Sequence, residues 1–378
     1  MSNEGTVNYG FEIVKRGSEE VKRLQSYLES IIFILHKKRM IIDFRSDTVT
    51  KPTAGMLEAM MTAKVGDDVF GEDPTINELE KMVADIFGME AGLFCPSGTM
   101  TNQIAIKCHT QPGDDVICDE SAHIYQYEGG GIAFNSGSSV KLLYGDRGRI
   151  NAEQVLAAIN PDDDHKPKTS LVCLENTSNR GGGSCYDLNE IKKIQSVCKE
   201  NGLAFHLDGA RLWNAMVAKK ETPKQYGDIF DSISICLSKG LGAPVGSILI
   251  GKKDFLKKAR RIRKTFGGGM RQAGFLAAAG IYGLKNNIER LQQDHDHAKL
   301  IGEAIAKSKI AKVVLPVQTN IVIFETKEPN SAAKIIEQFK QKDILCSMVT
   351  SSRVRFALHL DITEDMVTHT AEIIGKMK

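Results

Sequence analysis

An α/β fold is the class this sequence predicts: a large domain on a mostly parallel seven-stranded sheet, then a smaller α+β domain at the C-terminus. Three observations carry it. Seven short apolar runs rich in β-branched residues occupy 92–94, 116–118, 140–144, 170–174, 203–207, 233–237 and 247–250. Helical stretches separate them, as at 188–200, where Leu188, Ile191, Ile194 and Cys198 share one face. Near-continuous apolar strands alternating with helices suit a parallel sheet covered on both faces. Beyond residue 290 the pattern changes to mixed helices and strands.

The elements follow in order. Residues 1–39 read as a non-catalytic extension, dispensable for chemistry. Val21, Leu24, Leu28, Ile31 and Leu35 recur at helical spacing, predicting a helix over 19–35. The apolar run 31–35 is far short of the ~20 residues that span a bilayer. Glu4, Glu12, Glu19 and Glu20 precede it and Lys37-Lys38-Arg39 follows, the wrong order for a secretory signal. Met40 is an alternative start. Residues 40–290 form the expected large domain, its opening segment 41–46 packing with the small one. Residues 291–378 form the small domain, with helical character over 271–308, strands at 313–315, 321–324 and 354–358, a helix at 331–341 and a last helix opened by Thr363.

Composition narrows the function. The 378 residues carry 49 Lys+Arg against 47 Asp+Glu, a net +2. That leaves no broad basic excess to track a nucleic-acid backbone and no acidic excess of the disordered kind. A mean hydropathy of −0.20 fits a globular chain outside the membrane. The eight cysteines never occur as CxxC and mostly sit in apolar runs, as buried cytosolic thiols would; no metal site is expected.

Four motifs carry the chemistry. In Cys95-Pro96-Ser97-Gly98-Thr99, a Gly-Thr opens a helix after a strand, offering backbone N–H groups and a positive dipole end to a phosphate. In His206-Leu207-Asp208-Gly209-Ala210-Arg211, a strand ends in an acid at the carboxyl edge, where open α/β sheets bind ligands. That acid can pair with a pyridinium nitrogen. In Ser238-Lys239-Gly240, a lysine ends another apolar strand, where desolvation favours Schiff-base chemistry. His123, just after the run 116–118, can stack on a cofactor ring and act as acid or base.

Together with Asp43-Phe44-Arg45-Ser46-Asp47-Thr48-Val49-Thr50, the loop 65–75, LENT at 174–177 and GGGMRQ at 267–272, these motifs resemble the low-specificity L-threonine aldolases across essentially all of 40–378. The resemblance implies an aspartate-aminotransferase-like, fold type I architecture, pyridoxal 5′-phosphate as cofactor, and retro-aldol cleavage of L-threonine or L-allo-threonine to glycine and acetaldehyde. Another pyridoxal-dependent reaction on amino acids, β-elimination or transamination, is the rival; a catalytically silent pyridoxal-binding scaffold is a further alternative. By resemblance, Lys239 carries the cofactor, Asp208 pairs with its ring nitrogen and His123 stacks on it. Ser97, Gly98 and Thr99 hold the phosphate, with Arg271 reaching it from a neighbouring subunit. Ser46, Arg211 and Arg355 hold the substrate carboxylate, Arg211 also touching the cofactor. Arg353 is the rival on the same strand face as Arg355, which is preferred because Val354-Arg355-Phe356 followed by His359-Leu360-Asp361 matches the family's run. Tyr127 lines the pocket. His165 is either a solvent-exposed loop residue or lies near the substrate hydroxyl. Ser178 stands where the family often has His, and Phe70 where many relatives have Tyr. A cytoplasmic homotetramer, a dimer of dimers with shared sites, is the implied assembly.

Overall fold

The computed structural model describes residues 41–377. The expected helix at 19–35, the role of 1–39 and the alternative start at Met40 lie outside the described residues. In chain order the main elements are α1 (Ala54–Met61), α2 (Pro74–Phe87), β1 (Ala91–Cys95), α3 (Gly98–His109), β2 (Asp115–Asp119), β3 (Ser139–Leu143), β4 (Thr169–Glu175), α4 (Leu188–Glu200), β5 (Ala204–Gly209), β6 (Ser232–Cys236), β7 (Ser247–Gly251), α5 (Lys253–Thr265), α6 (Gly274–Asn286), α7 (Leu291–Lys307), β8 (Ala311–Val314), β9 (Ile321–Thr326), α8 (Ala332–Lys340), β10 (Ser347–Thr350), β11 (Arg353–Ala357) and α9 (Glu364–Lys376).

The seven-stranded sheet has the order β1-β7-β6-β5-β4-β2-β3. From β3 through β6 neighbours are parallel, and β7 runs antiparallel to both β6 and β1. All strands but β7 therefore point their carboxyl ends the same way. The two-residue register aligns Glu175 with Asp208 and Asp208 with Ser234 across β4, β5 and β6. The strand-end acids and the loop to Lys239 thus meet at one edge.

The central strands are buried because they are largely apolar on both faces, while the edge strand β3 is half exposed. Val172, Phe205, Ile233 and Ile248 are fully enclosed, and each such side chain contributes on the order of 1.5–3 kcal/mol by leaving water. Phe87 of α2 meets Trp213 edge-on at 5.5 Å, and Phe205 stacks on Phe230 at 4.3 Å. Asp73 fixes the start of α2 by accepting from the Thr75 and Ile76 N–H groups, and Pro74 supplies a preset φ at the first position.

The C-terminal sheet is antiparallel, in the order β10-β11-β9-β8. Val354 and Phe356 face its core while Arg353 and Arg355 share the other face. Phe44 touches this sheet, its carbonyl accepting from the Ala357 N–H at 2.9 Å, while its N–H donates to the carbonyl of Leu345, just before β10, at 2.8 Å. The helical stretch expected over 271–308 is two helices, because the chain leaves α6 at Asn287, whose side chain donates to the Leu241 carbonyl, and restarts at Leu291. No helix among the described residues is long and apolar enough to cross a membrane. The eight cysteines are free thiols, all buried except the half-buried Cys108.

Candidate active site

The carboxyl edge of the sheet gathers four kinds of side chain: an acid, an imidazole, a lysine and arginines. Asp208, next to the end of β5, is buried. Its Oδ1 accepts from the Ala210 N–H and its Oδ2 from the Asn102 amide, both at 3.0 Å. One strand over, β6 runs out at Cys236 into the turn that carries half-buried Lys239. The Lys239 carbonyl accepts from the Gly242 N–H at 2.8 Å. Gly242 closes that turn at φ +78°, a region that favours glycine, and a Cβ there would come within 2.9 Å of Leu360.

His123 opens a short helix just after β2. Its backbone N–H donates to Glu175 at 2.7 Å, and its Nδ1 lies 3.0 Å from Glu128 Oε1. Because Glu128 also accepts from Asn102 and Gln103, its carboxylate is saturated with donors. An ionised carboxylate only accepts, so Nδ1 carries a proton, and in the neutral ring Nε2 keeps its lone pair. Burial disfavours the imidazolium, but the Glu128 hydrogen bond and the charges of Asp208, Glu128 and Glu175 outweigh it and hold His123 above its ordinary pKa. Burial, with the Asp208 charge, pushes the Glu175 carboxyl up to about 7, against the N–H groups of Asn179 and His123. One atom each of His123, Glu128 and Asp208 lie within 4.8 Å of one another. These are metal-ligand types, but the acids' oxygens are occupied by N–H donors, so the cluster is a hydrogen-bonded one.

A cationic pocket flanks this cluster. Arg211 grips Asp47 through Nε and Nη2, both at 2.7 Å, with both residues buried. Burial would raise the Asp47 pKa, yet Arg211, Lys239 and Asn320 hold it well below the carboxylate range. Arg355 donates from Nη1 to Asn179 and from Nη2 to the Arg45 carbonyl, which brings it beside Ser46. Its buried Nε has no partner among the described residues. Burial and the nearby Arg211 charge lower its pKa to about 10. A guanidinium so placed would be relieved by an anion. Arg353, the rival, pairs instead with Glu325 at 3.7 Å.

The helix α3 opens at the same edge. Ser97 caps it, its Oγ accepting from the Met100 N–H at 3.2 Å. Gly98 and exposed Thr99 then form the first turn. The buried Ser247 hydroxyl lacks a partner among the described residues and lies 3.5 Å from where a Gly98 Cβ would stand. A first helical turn, an orphan hydroxyl, a strand-end acid and a half-buried lysine together fit a phosphorylated pyridine aldehyde.

Three expected residues sit at the rim or beyond it. Half-exposed Tyr127 lies 5.6 Å, ring to ring, from His123, with the Arg180 guanidinium 5.8 Å from its centroid. Arg271 is exposed and donates to Asp67 at 2.8 Å, on the loop that also displays Phe70. His165 is almost fully exposed and, among the described residues, pairs only with Asp163 of its own loop. That loop enters β4 at its amino end, roughly 20 Å along the strand from Glu175. Within one chain, His165 is therefore not brought to this edge.

Sequence reasoning missed Asn102, Glu128, Glu175, Asp47 and Asn320. Glu175 and Asp47 stood inside quoted motifs, and Asn102 stands three residues past the Gly98-Thr99 helix start. Asn320 carried no local signal, since its partners Asp47 and Leu358 are distant in sequence, and Glu128, five residues past His123, belonged to no motif.

A family model described as beta-eliminating lyase matches residues 43–329. The chain is 43% identical over 332 residues to the low specificity L-threonine aldolase of Escherichia coli K12, covering 88% of this chain and 97% of that one. It is 41% identical over 336 residues to low-specificity L-threonine aldolase 1 of Arabidopsis thaliana (87% and 94%). Against the Saccharomyces cerevisiae low specificity L-threonine aldolase it is 42% identical over 328 residues (85% and 83%). Among solved structures, the Leishmania major threonine aldolase superposes with a TM-score of 0.77 at 22% identity, over 88% of this chain and 98% of that one. A Sphingomonas wittichii serine palmitoyltransferase reaches 0.71 at 14% identity, over 89% and 86%. The last two show the shared fold.

Proposed function

Because the chain belongs to the beta-eliminating lyase family and, within it, to the low-specificity L-threonine aldolases, we propose that its site performs their reaction: pyridoxal 5′-phosphate-dependent cleavage of L-threonine and L-allo-threonine to glycine and acetaldehyde. The observation that carries the reading is the convergence of Lys239, Asp208 and His123 on one sheet edge beside an arginine, Arg355, with an unpartnered Nε.

When bound, the cofactor supplies a carbonyl for the lysine and substrate amines and a ring that accepts the electron pair of the breaking Cα–Cβ bond. Lys239 would hold that carbonyl, and Asp208 would keep a proton at the ring nitrogen. Ser97, Gly98 and Thr99 would take the phosphate, with the Ser247 hydroxyl completing the cradle. Arg355 and Ser46 would hold the substrate carboxylate, while Arg211 uses two donors to keep Asp47 in place and has Nη1 left for the substrate side. Fixing the carboxylate fixes rotation about the amine–Cα bond, which decides whether a C–H or a C–C bond breaks. The lone pair of neutral His123 Nε2 would take the β-hydroxyl proton as the aldehyde leaves. A proton returned to Cα gives glycine.

Arg271 completing a neighbouring subunit's phosphate site, a homotetramer and a cytoplasmic location belong to the same proposal. The eight free thiols support the location, and the exposed Arg271 supports the shared site.

Purified protein should show the visible absorption band of a lysine-bound pyridoxal, and Lys239→Ala should lose the band while keeping the fold. An unchanged band in that variant refutes the lysine assignment. With L-allo-threonine, acetaldehyde and glycine are the expected products; 2-oxobutyrate instead would favour β-elimination, the chemistry the family model's description names.

A further inference from the structure

Behind Asp208 a chain of buried polar groups runs through the protein away from the substrate side. Asn102 of α3, His206 of β5 and Ser232 of β6 are essentially inaccessible. The Asn102 amide nitrogen donates twice, to Asp208 Oδ2 at 3.0 Å and to Glu128 Oε1 at 2.9 Å. Its oxygen lies 3.2 Å from His206 Nε2. His206 Nδ1 in turn lies 2.8 Å from the Ser232 hydroxyl and 3.1 Å from the Ser232 carbonyl. His109, at the far end of α3, places Nε2 2.8 Å from the same hydroxyl.

The donors in this chain are fixed by elimination. If Asn102 were turned over, its oxygen would face two carboxylates, an arrangement with no proton between any pair of oxygens. The amide nitrogen must therefore face the acids, and the oxygen must accept from His206. With its single proton on Nε2 for the Asn102 oxygen, His206 accepts at Nδ1 from the Ser232 hydroxyl, the shorter of its two Ser232 contacts, at the cost of facing the Ser232 carbonyl unprotonated; that hydroxyl accepts from His109. Burial, with the His109 ring beside it, keeps His206 neutral by pushing its pKa down to about 3. It can orient Asn102 but cannot act as a counter-charge.

Two acids are thereby held by one amide. Asp208 would face the cofactor's ring nitrogen from the edge, and Glu128 holds the His123 ring that would lie over its face. We propose that Asn102, oriented by His206 and Ser232, is a positioning residue that couples these two grips on the cofactor ring. The inference rests on the pyridoxal reading of the site.

The test compares holoenzymes carrying Asn102→Ala, His206→Leu and His206→Gln with the wild type. The readouts are the visible absorption band, its titration with pH, and loss of the cofactor on dilution. Asn102→Ala and His206→Leu should lose cofactor about tenfold more readily, the scale of a hydrogen bond to an ionised group, and should shift the titration midpoint of the band. Their kcat should fall with KM for L-allo-threonine little changed, since the substrate contacts are intact. His206→Gln, which keeps an N–H at the Nε2 position, should restore wild-type behaviour. An unmoved midpoint with unchanged cofactor retention in Asn102→Ala and His206→Leu overturns the proposal, as does a Gln variant as damaged as the Leu one. Ser232→Ala removes only a hydroxyl and serves if the larger changes prevent folding: it should move the midpoint in the same direction, and no movement overturns the proposal. A wild-type protein without the visible band would instead refute the cofactor reading itself.

Discussion

Glu128 decides the charge of the imidazole that the mechanism needs neutral. Its carboxylate accepts from His123 Nδ1 at 3.0 Å, and that bond, with the surrounding acids, holds His123 above its ordinary pKa against the pull of burial. If neutral His123 takes the hydroxyl proton, activity rises with pH through the His123 pKa. Glu128→Gln removes a negative charge that stabilised the imidazolium, so the pKa falls and the acid limb of kcat/KM moves to lower pH, by roughly one unit. A limb that stays put or moves upward excludes His123 as that base. Lys239, Asp208 and His123 were legible because each ends or follows an apolar strand, where a polar side chain is conspicuous. Glu128 was not, because it follows no apolar strand: it lies five residues past His123, and its burial rests on Asn102 and Gln103, 26 and 25 residues before it. His165 drew attention by its type alone, and one-dimensional order could not reveal that its loop feeds the wrong end of β4.

Helix α2 shows how an element far from the chemistry is locked into place. Asp73 accepts from the Thr75 and Ile76 N–H groups at its start and also from the Gly274 N–H that begins α6, at 2.9 Å. Farther along, Glu80 accepts from the Phe94 N–H of β1 at 2.8 Å and pairs with Arg260 of α5. Asp73→Ala removes a cap and leaves the buried Gly274 N–H unpaired, so it should destabilise by about 2–4 kcal/mol. Denaturant unfolding of the variant measures this, and a loss below about 1 kcal/mol, the range of a surface change, contradicts the double role. The element reading succeeded where side-chain period and cap agree, as in α4, opened by Asp187 and running Leu188–Glu200 as its apolar spacing predicts. It failed where tertiary contacts decide: β10, Ser347–Thr350, is too short and too polar to announce itself and exists because β11 pairs with it.

At the scale of the whole molecule, a net charge of +2 coexists with a concentrated cationic pocket because Asp47 neutralises Arg211 internally. Arg355 keeps a buried Nε without a partner among the described residues, whereas exposed Arg271 is paired with Asp67. The loop that ties down Arg271 also displays Phe70, which is 74% exposed. No pattern in one chain states which copy completes which site, so that proposal needs a measurement of its own. Lys239→Ala and Arg271→Ala, each nearly inactive alone, are produced together so that mixed oligomers form. If the lysine and the arginine of a site come from different subunits, each mixed pair rebuilds one site with both native residues. Statistical mixing of a two-fold pair then restores about a quarter of the native sites. If both residues came from the same chain, every site in the mixture would lack one of them. Activity no greater than the sum of the two variants would therefore rule out the shared site and assign Arg271 to its own chain, where it already holds Asp67.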